Sequence, residues 1–434
     1  MSISESRDVH RASRFAATFV LASVVLFPLF PWLMVGSLDE RFSGRAALHS
    51  VANLAAFFAI ASWAANLVLA SRIRPVERAF GGLEHLYRMH RRVGVLVVVL
   101  AITHVVFLTL YTGANALDLY VPSAGWSTFS GVVALVLLLG FVVTSLVGRV
   151  SYPAFMLVQR LLGAAFVLGA FHSYAVRGTG ASSPGLTVYL FGLTAAGLTS
   201  LGYRLLGGRL GVGRHRYRVD EVRHLDEDVV EIAMAPVARP LEFRAGQFVY
   251  ATFRQDGIPR ESHPFTIASA PGGPLRIVVK RFGDYTSLVM QLRAGAEAQL
   301  EGPFGSFHLV SDPLHAQTWI AGGIGITPFL SWARTLDDST LADLYYCTPG
   351  VEQAHYLDEL FDIADRHPRF RVIPFRKDSL GRLGVDDIAA VNPNVAYGHV
   401  FICGPQVMID NMRTGLEARG IAPHRIHSEN FDFR

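Results

Sequence analysis

The sequence predicts a multidomain membrane protein: an N-terminal six-helix transmembrane bundle over residues 1–210, an antiparallel β-barrel over 211–312, and an α/β domain over 313–434. Three observations predict it. Of 434 residues, 51% are hydrophobic and 17% charged, and nearly every long apolar run falls before residue 210. Short alternating runs separated by Gly/Pro turns come next. The last stretch carries strand, glycine turn and helix in succession, the pattern of an α/β fold. The formal charge of +4 is modest, and much of the arginine excess borders apolar spans. It therefore reads as membrane topology, and no nucleic-acid partner is expected. The only cysteines are Cys347 and Cys403. Two isolated thiols without CxxC spacing argue against a disulfide framework or a zinc site and fit a reducing compartment.

Six apolar spans lie near 15–35, 48–70, 93–111, 129–147, 155–175 and 186–206. Each is long enough for about 30 Å of hydrocarbon, so the lipid bilayer is an expected partner. Arg7, Arg11 and Arg14 precede the first span, and Arg72, Arg74, Arg78, Arg88, Arg91 and Arg92 fill the connection between the second and third. Arg149 and Arg160 flank the fourth-to-fifth connection, while Arg204, Arg209, Arg214 and Arg216 follow the sixth. The alternate loops are poor in arginine: 112–126 has none and 176–185 has only Arg177. The positive-inside rule then predicts a multi-pass protein of the inner (cell) membrane with both termini and the second half in the cytoplasm. The first span is long, contains Pro28 and Pro31 and lacks a clear small-residue cleavage site, so it reads as a retained helix.

Two segments of the bundle repeat one another. His90-Arg91-Arg92-Val93-Gly94 leads to His104 after 14 positions, and Gln159-Arg160-Leu161-Leu162-Gly163 leads to His172 after 13. Ionisable residues inside apolar spans are costly and mark function. Fourteen residues make close to four turns, so His90 and His104 share a helix face about 21 Å apart along the axis. Two depths suit stacked haems better than one metal site, with imidazoles meeting the iron from both faces. Arg91, Arg92 and Arg160 are placed for propionates, although they serve equally as snorkelling anchors. The second copy has Gln159 where the first has His90, so the repeat supplies three imidazoles. His85, in the basic loop before the third span, is the nearest spare imidazole, and His49 begins the second span at its outer end.

In the barrel, alternation marks strands at Tyr217–Val222, Val229–Ala233, Gln247–Phe253 and Arg276–Arg281. His263-Pro264-Phe265-Thr266 places an aromatic and a hydroxyl where a strand covers a flavin ring. Lys280-Arg281-Phe282-Gly283-Asp284-Tyr285-Thr286 offers cation, glycine and hydroxyl at a helix start, which favours a pyrophosphate. In the α/β part, the strand Trp319–Ala321 runs into Gly322-Gly323-Ile324-Gly325-Ile326-Thr327-Pro328 and a helix over Phe329–Leu336. A second strand, Val400–Ile402, ends in Cys403-Gly404-Pro405 before a helix at Met408–Arg419. Ligands of such folds bind at the carboxyl ends of the strands, which favours a role for Cys403 there.

These motifs together resemble the ferric reductase and NADPH oxidase superfamily, and the resemblance covers almost the whole chain. It implies a six-helix haem-binding membrane domain fused to a ferredoxin-reductase-like FAD and NAD(P) module. It implies flavin contacts at Phe265 and Thr266 beside Pro264, with His263, Lys280, Gly283 and Thr286 toward the FAD phosphates. The segment Gly302–Gly305 matches the part that closes the barrel. Gly322, Gly323, Gly325, Thr327 and Pro328, with Gly404 and Pro405, would surround the nicotinamide nucleotide, and Cys403 would lie near the hydride. Phe431, or Phe433, would stack over the flavin, so the implied catalytic residues are Thr266, Cys403 and Phe431. His104 and His172 would hold the iron of an outer haem b. At the inner site His90 faces Gln159: one haem held by His90 alone, one that recruits His85, and no haem are all open. The arginine that selects a 2′-phosphate is missing after Tyr345-Tyr346-Cys347, and Arg376, Lys377 and Arg382 are candidate substitutes. The nucleotide is therefore NADPH or NADH, with NADPH slightly favoured. The implied activity is electron transfer from cytoplasmic NAD(P)H through FAD and haem to an extracytoplasmic acceptor, either a ferric chelate or dioxygen. The alternative is a reductase that feeds a partner protein or quinone. Two further readings are a soluble flavin reductase with a mere membrane anchor, and a transporter. The transporter finds little support because no broken helix or acidic site interrupts the spans. No DxDxDG loop is present, which argues against direct calcium control.

Overall fold

The computed structural model describes residues 3–34, 37–147, 152–176, 184–210, 213–309, 316–393 and 395–429; within these, the side chains of Gln159 and Arg160 lie outside the description. The chain forms two compact units, Asp8–Leu210 and Gly211–Arg434, the latter grouped with Met1–Arg7.

The first unit is helical. Its long helices are α1 (Ile3–Leu26), α2 (Gly44–Ala70), α3 (Leu83–Thr112), α4 (Trp126–Val147), α5 (Tyr152–Ala175) and α6 (Pro184–Leu210). Five segments among the described residues are long and apolar enough to cross a membrane: Phe15–Leu33, Gly44–Ala70, His85–Tyr120, Trp126–Thr144 and Pro184–Leu206. The described apolar part of α5, Leu161–Ala175, is shorter. Small residues bring α2 close to its neighbours: Ala52, Ala55, Ala61, Ala64 and Ala65 are buried, and a Cβ on Gly197 of α6 would stand 3.2 Å from the Ala64 backbone. Outward positions stay apolar, as with Val95, Val99, Ile102 and Val106 on α3, which suits lipid and not water. α3 starts ten residues before the apolar run that marks it in the sequence, after Gly82 at φ +115°. The sequence places His85 in a loop, but it lies inside this helix, because polar side chains end an apolar pattern without ending the backbone hydrogen bonding.

The second unit holds two sheets. The first has six strands, β1 (Arg214–His224), β2 (Val229–Pro236), β3 (Phe248–Arg254), β4 (His263–Thr266), β5 (Leu275–Lys280) and β6 (Glu297–Phe304), in the order β4-β3-β6-β1-β2-β5. A single bridge, Ile267 to Ile277, almost closes it into a barrel around Ile232, Phe253, Ile277 and Leu300. After β5 comes the short helix α7 (Asp284–Val289). The second sheet is parallel, with β7 (Gln317–Gly322), β8 (Ala342–Thr348), β9 (Phe370–Arg376), β10 (Val400–Cys403) and β11 (Ile426–Glu429) in the order β11-β10-β7-β8-β9. Helices α8 (Thr327–Ala333), α9 (Leu357–Arg366) and α10 (Gln406–Ala418) accompany it. Trp319, Phe329, Trp332 and Phe401 fill a core that also takes in Val229, Ala268 and Val278 from the barrel, so the two sheets share apolar packing.

Candidate functional site

In the helical unit His104 of α3 and His172 of α5 face one another, with ring centroids 6.3 Å apart and planes at 65°. His104 Nδ1 donates to the Ala52 carbonyl at 2.9 Å, and His172 Nδ1 donates to the Ser127 carbonyl at 2.8 Å. A carbonyl accepts only, so each Nδ1 carries the proton and each Nε2 keeps its lone pair for a metal. Those two Nε2 atoms would hold an iron, each through a metal–imidazole bond of about 2 Å. Gly131, one turn after Ser127, makes room: a Cβ there would stand 2.7 Å from His172 Nδ1. Sequence reasoning missed Ala52, Ser127 and Gly131.

His90 repeats the arrangement one site along. Its Nδ1 donates to the Asn66 carbonyl at 3.2 Å. Ala52 and Asn66 are 14 residues apart on α2, as are His90 and His104 on α3, so two antiparallel helices prepare both imidazoles alike. Ser62 Oγ, Asn66 Oδ1 and the Tyr87 hydroxyl are buried in this unit without a hydrogen-bond partner among the described residues. His49 packs against Tyr111, with ring centroids 4.7 Å apart and planes at 33°, beside the Asn53 amide.

In the second unit β4 carries the flavin-type motif, registered against β3 through Val249–Phe265 and Phe248–Thr266. Thr266 is 5% exposed and its Oγ1 has no partner among the described residues, an unmet hydroxyl of the kind a polar flavin edge satisfies. Pro264 and Phe265 are half-buried. His263 stacks on Tyr285 at 3.8 Å and bonds Glu261 at 3.0 Å, which ties the start of β4 to α7. Gly283, at φ +106°, precedes that helix, which has only six residues. The Thr286 hydroxyl already accepts from the Phe282 amide at 2.7 Å, and Lys280 at the end of β5 is exposed.

At the carboxyl ends of the parallel strands, β7 and β10 approach so closely that only glycine fits. A Cβ on Gly325 would fall 2.2 Å from the Cys403 carbonyl, and one on Gly404 would stand 3.1 Å from Gly322 Cα. Gly322, Gly323 (φ +54°), Gly325, Gly404 and Pro405 thus line one edge. Thr327 opens α8 with its hydroxyl on the Ile324 carbonyl, and Pro328 follows in the first turn, where its missing N–H costs nothing. Cys403 is fully buried, and burial with the Glu429 carboxylate pushes its thiol well above the ordinary range. Arg376 ends β9 opposite Thr348, the last residue of β8, while Lys377 and Arg382 are exposed. Phe431 and Phe433 lie outside the described residues; Glu429, two positions before Phe431, pairs with Cys403.

A helical unit with facing imidazoles, joined to a barrel with a flavin-type strand and a sheet with a nucleotide-type turn, defines a membrane-bound flavoprotein oxidoreductase. Comparison with known families agrees. Residues 55–170 match the ferric reductase like transmembrane component, 214–308 an FAD-binding domain, and 319–414 the oxidoreductase NAD-binding domain. The chain therefore has the ferric reductase and NADPH oxidase-like architecture, with a membrane component from a haem-binding family and a module for FAD and NAD(P)H. It is similar to the reductase component of propane 2-monooxygenase from Rhodococcus jostii, 26% identical over 247 residues that cover 52% of this chain and 66% of the relative. It is also similar to the carnitine monooxygenase reductase subunit of Escherichia coli, 29% identical over 225 residues, 49% of this chain and 67% of the relative. The chain thus spans about two thirds of the length of these relatives. Among solved structures, the cytochrome P450 reductase of Amycolatopsis shares 27% identity with a TM-score of 0.45, covering 50% of this chain and 69% of that one.

Proposed function

We propose that the chain is a six-span flavocytochrome of the inner (cell) membrane with both termini cytoplasmic. It moves electrons from NADPH or NADH through FAD and b-type haem to an extracytoplasmic acceptor, a ferric chelate or dioxygen. The facing pair His104 and His172 carries this reading, because an anchor has no use for two imidazoles fixed as metal ligands inside apolar helices. When bound, FAD would supply the change from two-electron to one-electron chemistry and haem the one-electron carrier. The residues position and insulate. Ala52 and Ser127 fix the two rings, so that His104 and His172 would hold the haem iron. Thr266 offers its hydroxyl to the flavin, with Pro264 and Phe265 along the strand and Phe431 as the stacking aromatic. His263, Lys280, Gly283 and Thr286 serve the phosphate side. Gly322, Gly323, Gly325, Thr327, Pro328, Gly404 and Pro405 admit the nucleotide, with Cys403 as a neutral neighbour of the nicotinamide. Arg376 opposite Thr348, with Lys377 next to it and Arg382 six positions on, supports NADPH over NADH.

Purified protein expressed with ample haem is expected to show a six-coordinate low-spin haem signal from the outer site. His104→Ala or His172→Ala is expected to remove that signal and transmembrane transfer while leaving FAD reduction by NAD(P)H intact. Absence of haem in the wild type, or unchanged transmembrane transfer in either variant, overturns the proposal in favour of an anchored soluble reductase.

A second reading, a reductase that feeds a partner protein or quinone, draws support from relatives that are reductase components of monooxygenases. Oxidation of NADPH by the purified enzyme with ferric citrate or dioxygen alone argues against it.

A further inference from the structure

Behind the nucleotide turn, a polar cluster that neither cofactor site uses joins the two sheets of the second unit. Glu231 of β2 has a side chain only 3% exposed, so its carboxylate must be well paired. Its Oε1 accepts from Arg223 Nη2 and Arg276 Nη1, both at 3.0 Å, and its Oε2 accepts from the Tyr356 hydroxyl at 2.9 Å. Arg334 Nη2 stands 4.0 Å from the same Oε2. Tyr356 and Arg334 belong to the α/β part, the others to the barrel. A cleft of ≈ 520 Å³ opens beside the cluster, and Arg334 on its wall is 14% exposed.

Arg334 directly follows α8, the helix that starts at the glycine turn. Its Nε and Nη2 fork onto Glu359 at 2.6 and 2.8 Å, and its Nη1 donates to the Ala268 carbonyl at 2.8 Å. Ser331, one turn earlier, donates to the Ser269 carbonyl at 2.8 Å. Ala268 and Ser269 come two and three residues after Thr266 on the flavin strand. Two hydrogen bonds from the end of α8, one of them charge-assisted, therefore fasten the nucleotide helix to the turn that leaves the flavin strand. Burial opposes the Arg334 charge, but Glu359 and Glu231 outweigh it and raise its pKa. Burial and then Glu231 also raise the Tyr356 phenol, so both groups keep their protons.

We propose that Arg334 is a positioning residue for hydride transfer, setting the nucleotide helix and the flavin strand in register while Glu231, Tyr356 and Glu359 hold it in place. The step passes a hydride, two electrons with one proton, from NAD(P)H to the flavin and leaves NAD(P)⁺. Nucleotide binding is local to the α/β part, whereas the hydride step needs both sheets at a fixed spacing. The inference rests on the reading that NAD(P)H reduces FAD here.

Anaerobic stopped-flow reduction of the full-length protein by NADPH, followed by flavin absorbance, tests it in Arg334→Lys and Glu359→Gln. Lysine keeps the charge but loses the fork. The limiting rate is expected to fall about tenfold, since small misplacements are costly in a transfer of this kind. The apparent Kd for NADPH and the flavin midpoint potential are expected to stay unchanged. An unchanged limiting rate in both variants overturns the proposal, as does a slower rate matched by weaker NADPH binding or a shifted potential. If Arg334→Lys fails to retain FAD, Glu359→Gln decides alone, because that side chain is 38% exposed and tolerates change. A wild type that neither NADPH nor NADH reduces would instead sink the underlying reading.

Discussion

A thiol acts as a nucleophile only once ionised, and both cysteines of this chain are held away from that form. Burial pushes the Cys347 thiol up to about 12 from 9.0. Cys403 moves the same way, with Glu429 adding to the effect of burial. A neutral, fully buried Cys403 presents no reactive sulfur at the end of β10. Iodoacetamide at about pH 8 is expected to leave both residues unmodified in the native protein and to label both after unfolding; rapid labelling of the native protein would contradict this. The same shifts have a consequence for stability. The fold binds these protons more tightly than the unfolded chain does, so their stabilising contribution is complete below the ordinary thiol pKa of 9.0 and is lost as pH rises through about 12. Tyr345, raised from 10.0 to about 12, adds in the same direction. Tm measured against pH is therefore expected to be flat near neutrality and to fall from about pH 9 upward.

At the scale of elements, α4 positions His172 by backbone alone. Gly131→Ala would put a methyl group 2.7–2.8 Å from ring atoms that the Ser127 carbonyl holds in place. The ring has to turn away, so the variant is expected to lose the low-spin haem signal in absorption and EPR spectra. Gly140→Ala, on the same helix with nothing within 4 Å, is the control and is expected to be silent. The pair of glycines also shows what the sequence exposed and what it hid. His104 and His172 stand out because imidazoles are conspicuous in apolar spans. Ala52, Ser127 and Gly131 do not, because two act through carbonyls that every residue has and the third through a missing side chain. Hydropathy placed the start of α3 where its apolar run begins, yet helix geometry extends back to Gly82 and carries His85 with it. In the barrel, alternation located four strands, while nothing in it singles out Glu231. Its burial depends on partners up to 125 positions away in sequence, which no local pattern signals.

For the whole molecule the open quantity is how many haems lie along the electron path. α2 and α3 treat His90 as they treat His104, each with Nδ1 on an α2 carbonyl and each with Nε2 left for a ligand. Unpartnered polar atoms on Ser62, Asn66 and Tyr87 belong to the same two helices, and in an apolar bundle such atoms call for a partner. Both features argue that the second site is kept. It lies about 21 Å from the first along α3, a gap that one haem alone leaves unbridged inside the membrane. Glutamine is a weak iron ligand beside imidazole, so the haem at His90 is expected to lack a sixth strong ligand and to be high-spin. Wild-type protein should then contain two haems per FAD, one low-spin and one high-spin. Gln159→His should convert the second to low-spin without changing the count, while His90→Ala should remove it and spare the first. One haem per FAD in the wild type, rising to two in Gln159→His, would show that the inner site is empty and that a single substitution separates this chain from a two-haem path.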